Sequence, residues 1–306
     1  MRRVAGAVAV AACALALGAC GVGAGESAPD VALVVTRDFG ARTLGERTGQ
    51  TSGQDTVMRY LQRGFDVGTR YGGGFVQSID GLAGGFTRKR PVDWFFYVNG
   101  VEASQGATTM RIRAGDRIWW DHHPWDGAQR SPAVVGSYPE PFVHGLGRRW
   151  PTQVQCADGT AAKLCATVTE RLREAGVSPV AATATDRGRL RVLVGTWRAV
   201  RGDRAAALLA DGPRASGIFA RFGAGGRSLA LLDDEGHPVR RLGAGFGIVA
   251  ATRFEDEPPT WLLTGTDAAG VGAAVAALDA DTLRRHFAVA VQAGADAPVP
   301  LPVRPA

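Results

Sequence analysis

Lysine is almost missing from this sequence: of 35 basic residues only Lys89 and Lys163 are lysines, and the rest are arginines. No run of five or more basic residues occurs, so the net charge of +6 is dispersed and leaves no footprint for nucleic acid. In a chain this rich in alanine and glycine the arginine excess reads as coding bias. Uninterrupted apolar runs of about 20 residues, the length a spanning helix needs, are also lacking, which excludes a multi-span membrane protein. The 42 glycines follow no triplet period, which excludes a collagen-like chain. Signatures of catalysis are missing too. There is no His-Glu-x-x-His, no phosphate loop and no Gly-x-Ser-x-Gly; Ser216, between Ala215 and Gly217, lacks the elbow pattern. What is present is an ordinary globular composition, 45% apolar and 21% charged, over 306 residues, a length that suggests two domains.

The N-terminus carries an address. Arg2 and Arg3 precede an uncharged apolar run over 4–17, too short to span a bilayer and of the length of a secretory core segment. It ends Leu17-Gly18-Ala19-Cys20, which resembles a bacterial lipobox. The expectation is a cleaved lipoprotein signal over 1–20, lipidation of Cys20, a tether over 21–29, and a protein held to the outer face of the cell membrane. Cysteine usage agrees with export. Cys13 leaves with the signal, and Cys156 and Cys165 remain as an even pair in an oxidising compartment, predicting a disulfide. A metal reading of that pair has only Asp158 to add.

Along the mature chain, 31–36 and 41–46 read as a hairpin around Asp38-Phe39-Gly40. Ser52 or Asp55 caps a helix whose apolar face holds Val57, Met58 and Leu61. Strands follow over 75–79, 94–98, 110–112 and 117–120, with Asn99-Gly100 as a type I′ turn. Hairpin, helix, then several strands is the order of a β-grasp domain, placed at 30–130. Prolines 132, 139, 141 and 151 break the periodicity over 131–151, read as a linker between separately folding units. Strands alternating with helices over 152–291 predict an α/β or α+β layered domain, including a helix from Thr266 to His286. Residues 292–306 read as a loose proline-rich tail. The fold class expected for the whole chain is α+β.

Ser78-Ile79-Asp80-Gly81, then 93–100 as DWFFYVNG, then 114–120 as AGDRIWW, with Thr56-Val57 opening the helix, resemble the transcobalamin-like C-terminal domain family over about residues 30–126. The resemblance implies a β-grasp domain of the soluble-ligand-binding type. In transcobalamin and intrinsic factor such a domain closes over cobalamin held by an α/α barrel, so it also implies cobalamin as a ligand and, since this chain has no barrel, a separate barrel protein and an uptake transporter as partners.

Alternation sends Trp94, Phe96 and Val98 to one face of their strand and Phe95 and Tyr97 to the other; Trp119 and Trp120 divide likewise. One short helix covers one face only. The candidate site is therefore Trp94, Phe95, Tyr97, Trp119 and Trp120 with the loop bearing His122 and Trp125, covered either from outside by a flat ligand or partner, or from inside by Tyr138, Phe142 or Trp150. His122 and His123, adjacent on a strand, point to opposite faces and form no chelate alone; His144 would have to join them, or one histidine serve as axial ligand to a corrin cobalt. Gly265-Thr266-Asp267 reads as a helix cap rather than an anion site. Three functions compete: a surface-anchored ligand-binding component in cofactor uptake, a non-catalytic cell-envelope lipoprotein that binds another protein, and an enzyme with its centre in the C-terminal domain, for which no catalytic constellation is found. An occluded sheet face favours the second.

Overall fold

The computed structural model describes residues 29–157, 161–182 and 186–304. The predicted signal, Cys20, the tether up to residue 28, and Asp158 lie outside the described residues. The fold is mixed α/β, rich in strands and poor in helix.

The N-terminal sheet begins with β1 (Val31–Arg37) and β2 (Arg42–Gly49), an antiparallel hairpin as expected. Helix α1 (Val57–Gln62) follows, capped by Thr56, whose hydroxyl accepts from the Arg59 N–H. Asp55, one of the two expected caps, instead holds the Ser52 N–H and the Arg63 guanidinium. A small sheet is built from β3 (Val67–Arg70), β4 (Phe75–Ile79) and β5 (Leu82–Ala83). β6 (Gly85–Thr87), β7 (Arg90–Val98), β8 (Val101–Glu102) and β9 (Arg117–Pro124) return to the main sheet, whose order is β2-β1-β9-β7-β6 with β8 on β7. β1 runs parallel to β9 at its centre. Asn99 and Gly100 both take positive φ and join Val98 to Val101. Residues 110–112, expected as a strand, make only one isolated bridge, Arg111 to Thr56, because their backbone bonds go to the start of α1: Met110 O accepts from Val57 N and Ile112 N donates to Asp55 O.

The second sheet has order β11-β10-β12-β17-β16-β18-β19. Its first strands are β10 (Thr152–Cys156), β11 (Val180–Ala182) and β12 (Leu190–Thr196), with α2 (Ala162–Glu174) between β10 and β11. Short helices α3 (Trp197–Val200), α4 (Arg204–Ala210) and α5 (Pro213–Ser216) lead to a three-stranded sheet of β13 (Ala220–Phe222), β14 (Leu229–Leu232) and β15 (Pro238–Leu242). The chain re-enters the large sheet with β16 (Phe246–Thr252) and β17 (Thr260–Gly265). After α6 (Ala268–Ala276) and α7 (Ala280–Leu283) it ends on β18 (Ala288–Gln292) and β19 (Val299–Leu301). The long helix expected from Thr266 is thus two helices. Asp267 caps the first, and Asp279 accepts the Asp281 and Thr282 N–H groups to start the second. The stretch expected as a loose tail includes a paired strand: β19 runs antiparallel to β18, and Leu301 is buried. Cys156, closing β10, is disulfide-bonded to Cys165 of α2.

Residues 131–151 do not form an open linker. Val135, Tyr138, Phe142 and Trp150 are buried in the core formed by α2, α6 and one face of the second sheet, with the Phe142 and Trp261 ring centroids 5.0 Å apart. Proline breaks the periodicity of this stretch, but its apolar side chains still find burial, so absence of a pattern was a poor guide to exposure. Asn99 ties it to the first sheet, its Nδ2 donating to Asp116 Oδ1 at 2.8 Å and to Gly145 O at 2.7 Å.

Candidate functional site

The strands divide their rings as the alternation requires. Trp94, Val98, Ile118 and Trp120 join Val31, Leu33 and Val35 in a core covered by Val57, Met58, Tyr60 and Leu61 of α1. Trp94 Nε1 donates to Leu82 O at 3.0 Å, and Phe96 stacks on Trp120 at 4.9 Å. His122 is on this side, 5.0 Å from the Trp94 ring, with Nε2 against Ala83 O at 3.1 Å; burial lowers its pKa.

Tyr97 and Trp119, on the other face, are 0% and 2% exposed. Both pack edge-on against Phe287, at 5.5 and 5.1 Å between centroids. Two flat surfaces holding a planar molecule between them stand about 7 Å apart, twice the usual carbon contact distance. These rings touch each other, and no such gap exists. Tyr138, Phe142 and Trp150, the expected internal covers, lie elsewhere. The cover is Phe287, immediately before β18, together with Phe39, Phe219 and Val134. Close approach is enforced at Gly40, whose φ is +82° and where a Cβ would sit 1.9 Å from Arg285 O. The two partly open members of the predicted set are Phe95, stacked on His123 at 4.4 Å, and Trp125, whose Nε1 donates to Asp93 Oδ2 at 3.0 Å.

At the centre of this seam is a buried polar network. Asp121, fully buried, accepts from Phe39 N at 3.0 Å, Gly40 N at 2.8 Å and the Thr36 hydroxyl, and its Oδ1 lies 2.7 Å from His123 Nδ1. Trp119 Nε1 donates to Thr36 Oγ1 at 2.7 Å. His123 is stacked between Phe39 and Phe95, each 4.4 Å away. A carboxylate with this many donors is a structural fastener for the turn over 38–41. The histidines go separate ways: His122 to Ala83, His123 to Asp121, and His144 to Glu140, at 2.5 Å. Among the described residues no three His, Cys, Asp or Glu side chains converge as a metal-ligand set. No helix among them is long and apolar enough to cross a membrane.

A family described as a domain of unknown function (DUF4430) matches residues 54–123, which span α1 to β9 and lie inside the stretch that carries the motif cadence. No curated protein matches the chain. Among solved structures, the crystal structure of a candidate metal binding protein from Ruminococcus gnavus ATCC 29149 is similar at 12% identity; the alignment covers 32% of this chain and 98% of that one, with a TM-score of 0.25.

Two features escaped the sequence reading. Phe287 heads the run FAVAV over 287–291, whose β-rich composition was a usable strand signal. The exposed aromatics lie outside the predicted set: Tyr71 is 85% exposed, Phe86 80% and Phe75 37%.

Proposed function

We propose that this chain is a non-catalytic binding lipoprotein of the cell envelope, anchored through Cys20 to the outer face of the membrane, whose N-terminal unit docks another protein. The observation that carries the reading is the closed seam. A corrinoid gripped between this sheet and a separate α/α barrel needs the face that holds Tyr97 and Trp119, and the chain's own Phe287, Phe39 and Phe219 occupy it. The β-grasp reading is supported by a hairpin, one packed helix and β1 parallel to β9, and the transcobalamin-like resemblance by the position of the family match. The Cys156–Cys165 disulfide supports an oxidising compartment.

The docking surface is the outer edge formed by β3 to β6. Tyr71 and Phe75 meet edge-on at 6.2 Å. Gln77 and Gly84 exchange backbone and side-chain bonds, which ties β4 to the segment that carries Phe86 two residues on. Beside Phe86, Arg88 and Lys89 form the tip of the β6–β7 hairpin with φ of 50° and 69°, a conformation usually left to Asn-Gly. Exposed rings rimmed by cations fit a partner that offers an apolar pocket with an acidic border.

A photo-crosslinking residue at Tyr71 or Phe86, in cells making the lipidated chain, should yield one discrete protein adduct. The same residue at exposed Arg240 should not. Calorimetry with cobalamin should show no heat for the chain alone. Cobalamin binding that disappears on Trp119→Ala would return the sheet face to the role of ligand platform and end the docking reading.

A further inference from the structure

Away from the aromatic seam, a cleft of about 500 Å³ opens where three distant segments meet: the loop over 104–113, the stretch over 146–150 and the turn after β16. Trp150 and Met110 contribute largely buried apolar surface to it, and Arg111, Arg113, Arg148 and Arg253 line it, with Asp256 as the sole carboxylate. Among the described residues, no carboxylate lies within ion-pair distance of Arg111, Arg113 or Arg148. Arg111 spends one donor on Gln54, an uncharged acceptor. Arg253 is the buried member, its side chain 6% exposed. Its Nε donates to Glu257 O at 2.8 Å and its Nη1 to Glu102 O at 3.4 Å, and its one ion-pair partner among the described residues, Asp256, stands 3.5 Å away and is itself 85% exposed. Burial lowers the pKa of Arg253, against the raising pull of Asp256 and Glu102.

We propose that this cleft binds a phosphate-bearing anion. Four guanidinium groups line one concavity with a single carboxylate among them, and an oxyanion placed there would be attracted by the guanidinium groups around it. Guanidinium donors match phosphate oxygens two at a time, whereas exposed lysines would act as point charges. The Trp150 and Met110 floor suits a ligand with an apolar or planar part next to the phosphate. A soluble phosphate ester and an anionic lipid headgroup share this chemistry, and the two sources are separable by experiment.

The test uses the mature chain from Gly21 onward, without its lipid. It is titrated in parallel with glycerol phosphate by calorimetry and with vesicles of phosphatidylglycerol in phosphatidylcholine by co-sedimentation, pure phosphatidylcholine being the blank. Binding is expected in at least one arm, and which arm responds identifies the source. Arg113→Ala and Arg148→Ala, both exposed and outside either core, should each weaken it by roughly tenfold, and the double change by more. Arg148→Lys should recover part of the loss, and raising salt should reproduce it. Arg240→Ala on β15 removes the same charge far from the cleft and should change nothing. The proposal is overturned if neither probe binds, or if Arg240→Ala weakens binding as much as the cleft variants do.

Discussion

The two faces of the N-terminal sheet are covered in different ways. One is covered locally: α1, within 31 residues of β1's start, buries Val57, Met58, Tyr60 and Leu61 over Trp94, Ile118 and Trp120. The other is covered from a distance, by a ring at position 287 and by Phe219 and Val134, over Tyr97 and Trp119. The local face is apolar and interrupted by few polar groups. The distant face encloses Asp121, whose bonds to Thr36, Phe39 and Gly40 hold Phe39 against Phe287, and His123, which bonds to Asp121 and stacks on Phe39. A helix next in sequence needs only an apolar stripe to find its sheet, whereas the face that waits for a distant cover has its docking ring, Phe39, fixed beforehand by directional bonds within the first sheet.

The comparison breaks most visibly at Phe287. Phe287→Ala should cost about 3–5 kcal/mol, since it removes a fully packed ring from Tyr97, Trp119, Phe39 and His123 at once. Urea unfolding followed by tryptophan fluorescence should show one transition, moved to lower urea. Two transitions in the unaltered chain, with the first sheet melting independently of Phe287, would mean that the distant cover is not structural. Next in size is the Cys156–Cys165 bond, which closes a short loop on the far side of the second sheet. Its loss in Cys156→Ser/Cys165→Ser should cost roughly 2–3 kcal/mol in the same assay. If the double serine variant melts like the parent, the bond contributes nothing to the second sheet's hold on α2.

The smallest effect is in pH. Burial lowers the pKa of His122, on the local face, and of His286, next to the distant cover. The folded chain then binds fewer protons than the unfolded one, so stability is complete above the ordinary histidine value near 6.5 and falls as pH drops through it. A second decline comes at lower pH. Although burial raises it, Asp55 is held down to about 2 by the Ser52 N–H and by Arg63 and Thr51, so its stabilisation is lost between its ordinary 3.8 and that value. With Arg63 partly exposed, this is worth only about 1 kcal/mol. Melts at pH 7.5, 5.5 and 3 separate the steps. His122→Gln should reduce the upper one and leave the share of His286, and a curve flat from pH 7.5 to 5.5 in the parent would sink the assignment.

Much of the local face could be read in the sequence. The hairpin, the helix stripe, the alternation in DWFFYV and the Asn99-Gly100 turn are signals carried within a few residues, and each element formed where its pattern lay. Even the motif residues Asn99 and Asp116, far apart in sequence, meet as a clamp, though the meeting itself carried no sequence signal. What covers Tyr97 and Trp119 could not be read, because nothing about Phe287 distinguishes it from any other strand-leading aromatic. The 131–151 stretch misled for a related reason. Proline removes helical and strand periodicity without removing the apolar side chains that seek burial. The arginine cleft was illegible because its four cations come from three loops, and no single loop is rich enough in charge to stand out in an arginine-rich chain.

The long separation in sequence between Phe287 and the Tyr97 and Trp119 rings it covers sets an order of events during biogenesis. Ribosomes release chains from the amino end, so residues 30–124 emerge complete, with α1 able to close its own side, while Tyr97 and Trp119 still face solvent. That nascent surface stays adhesive until Phe287 has emerged. A chain truncated before β18 would therefore be a sticky half-sheet rather than a soluble fragment, and expressing the first sheet alone should yield aggregates unless its outward rings are replaced by polar side chains.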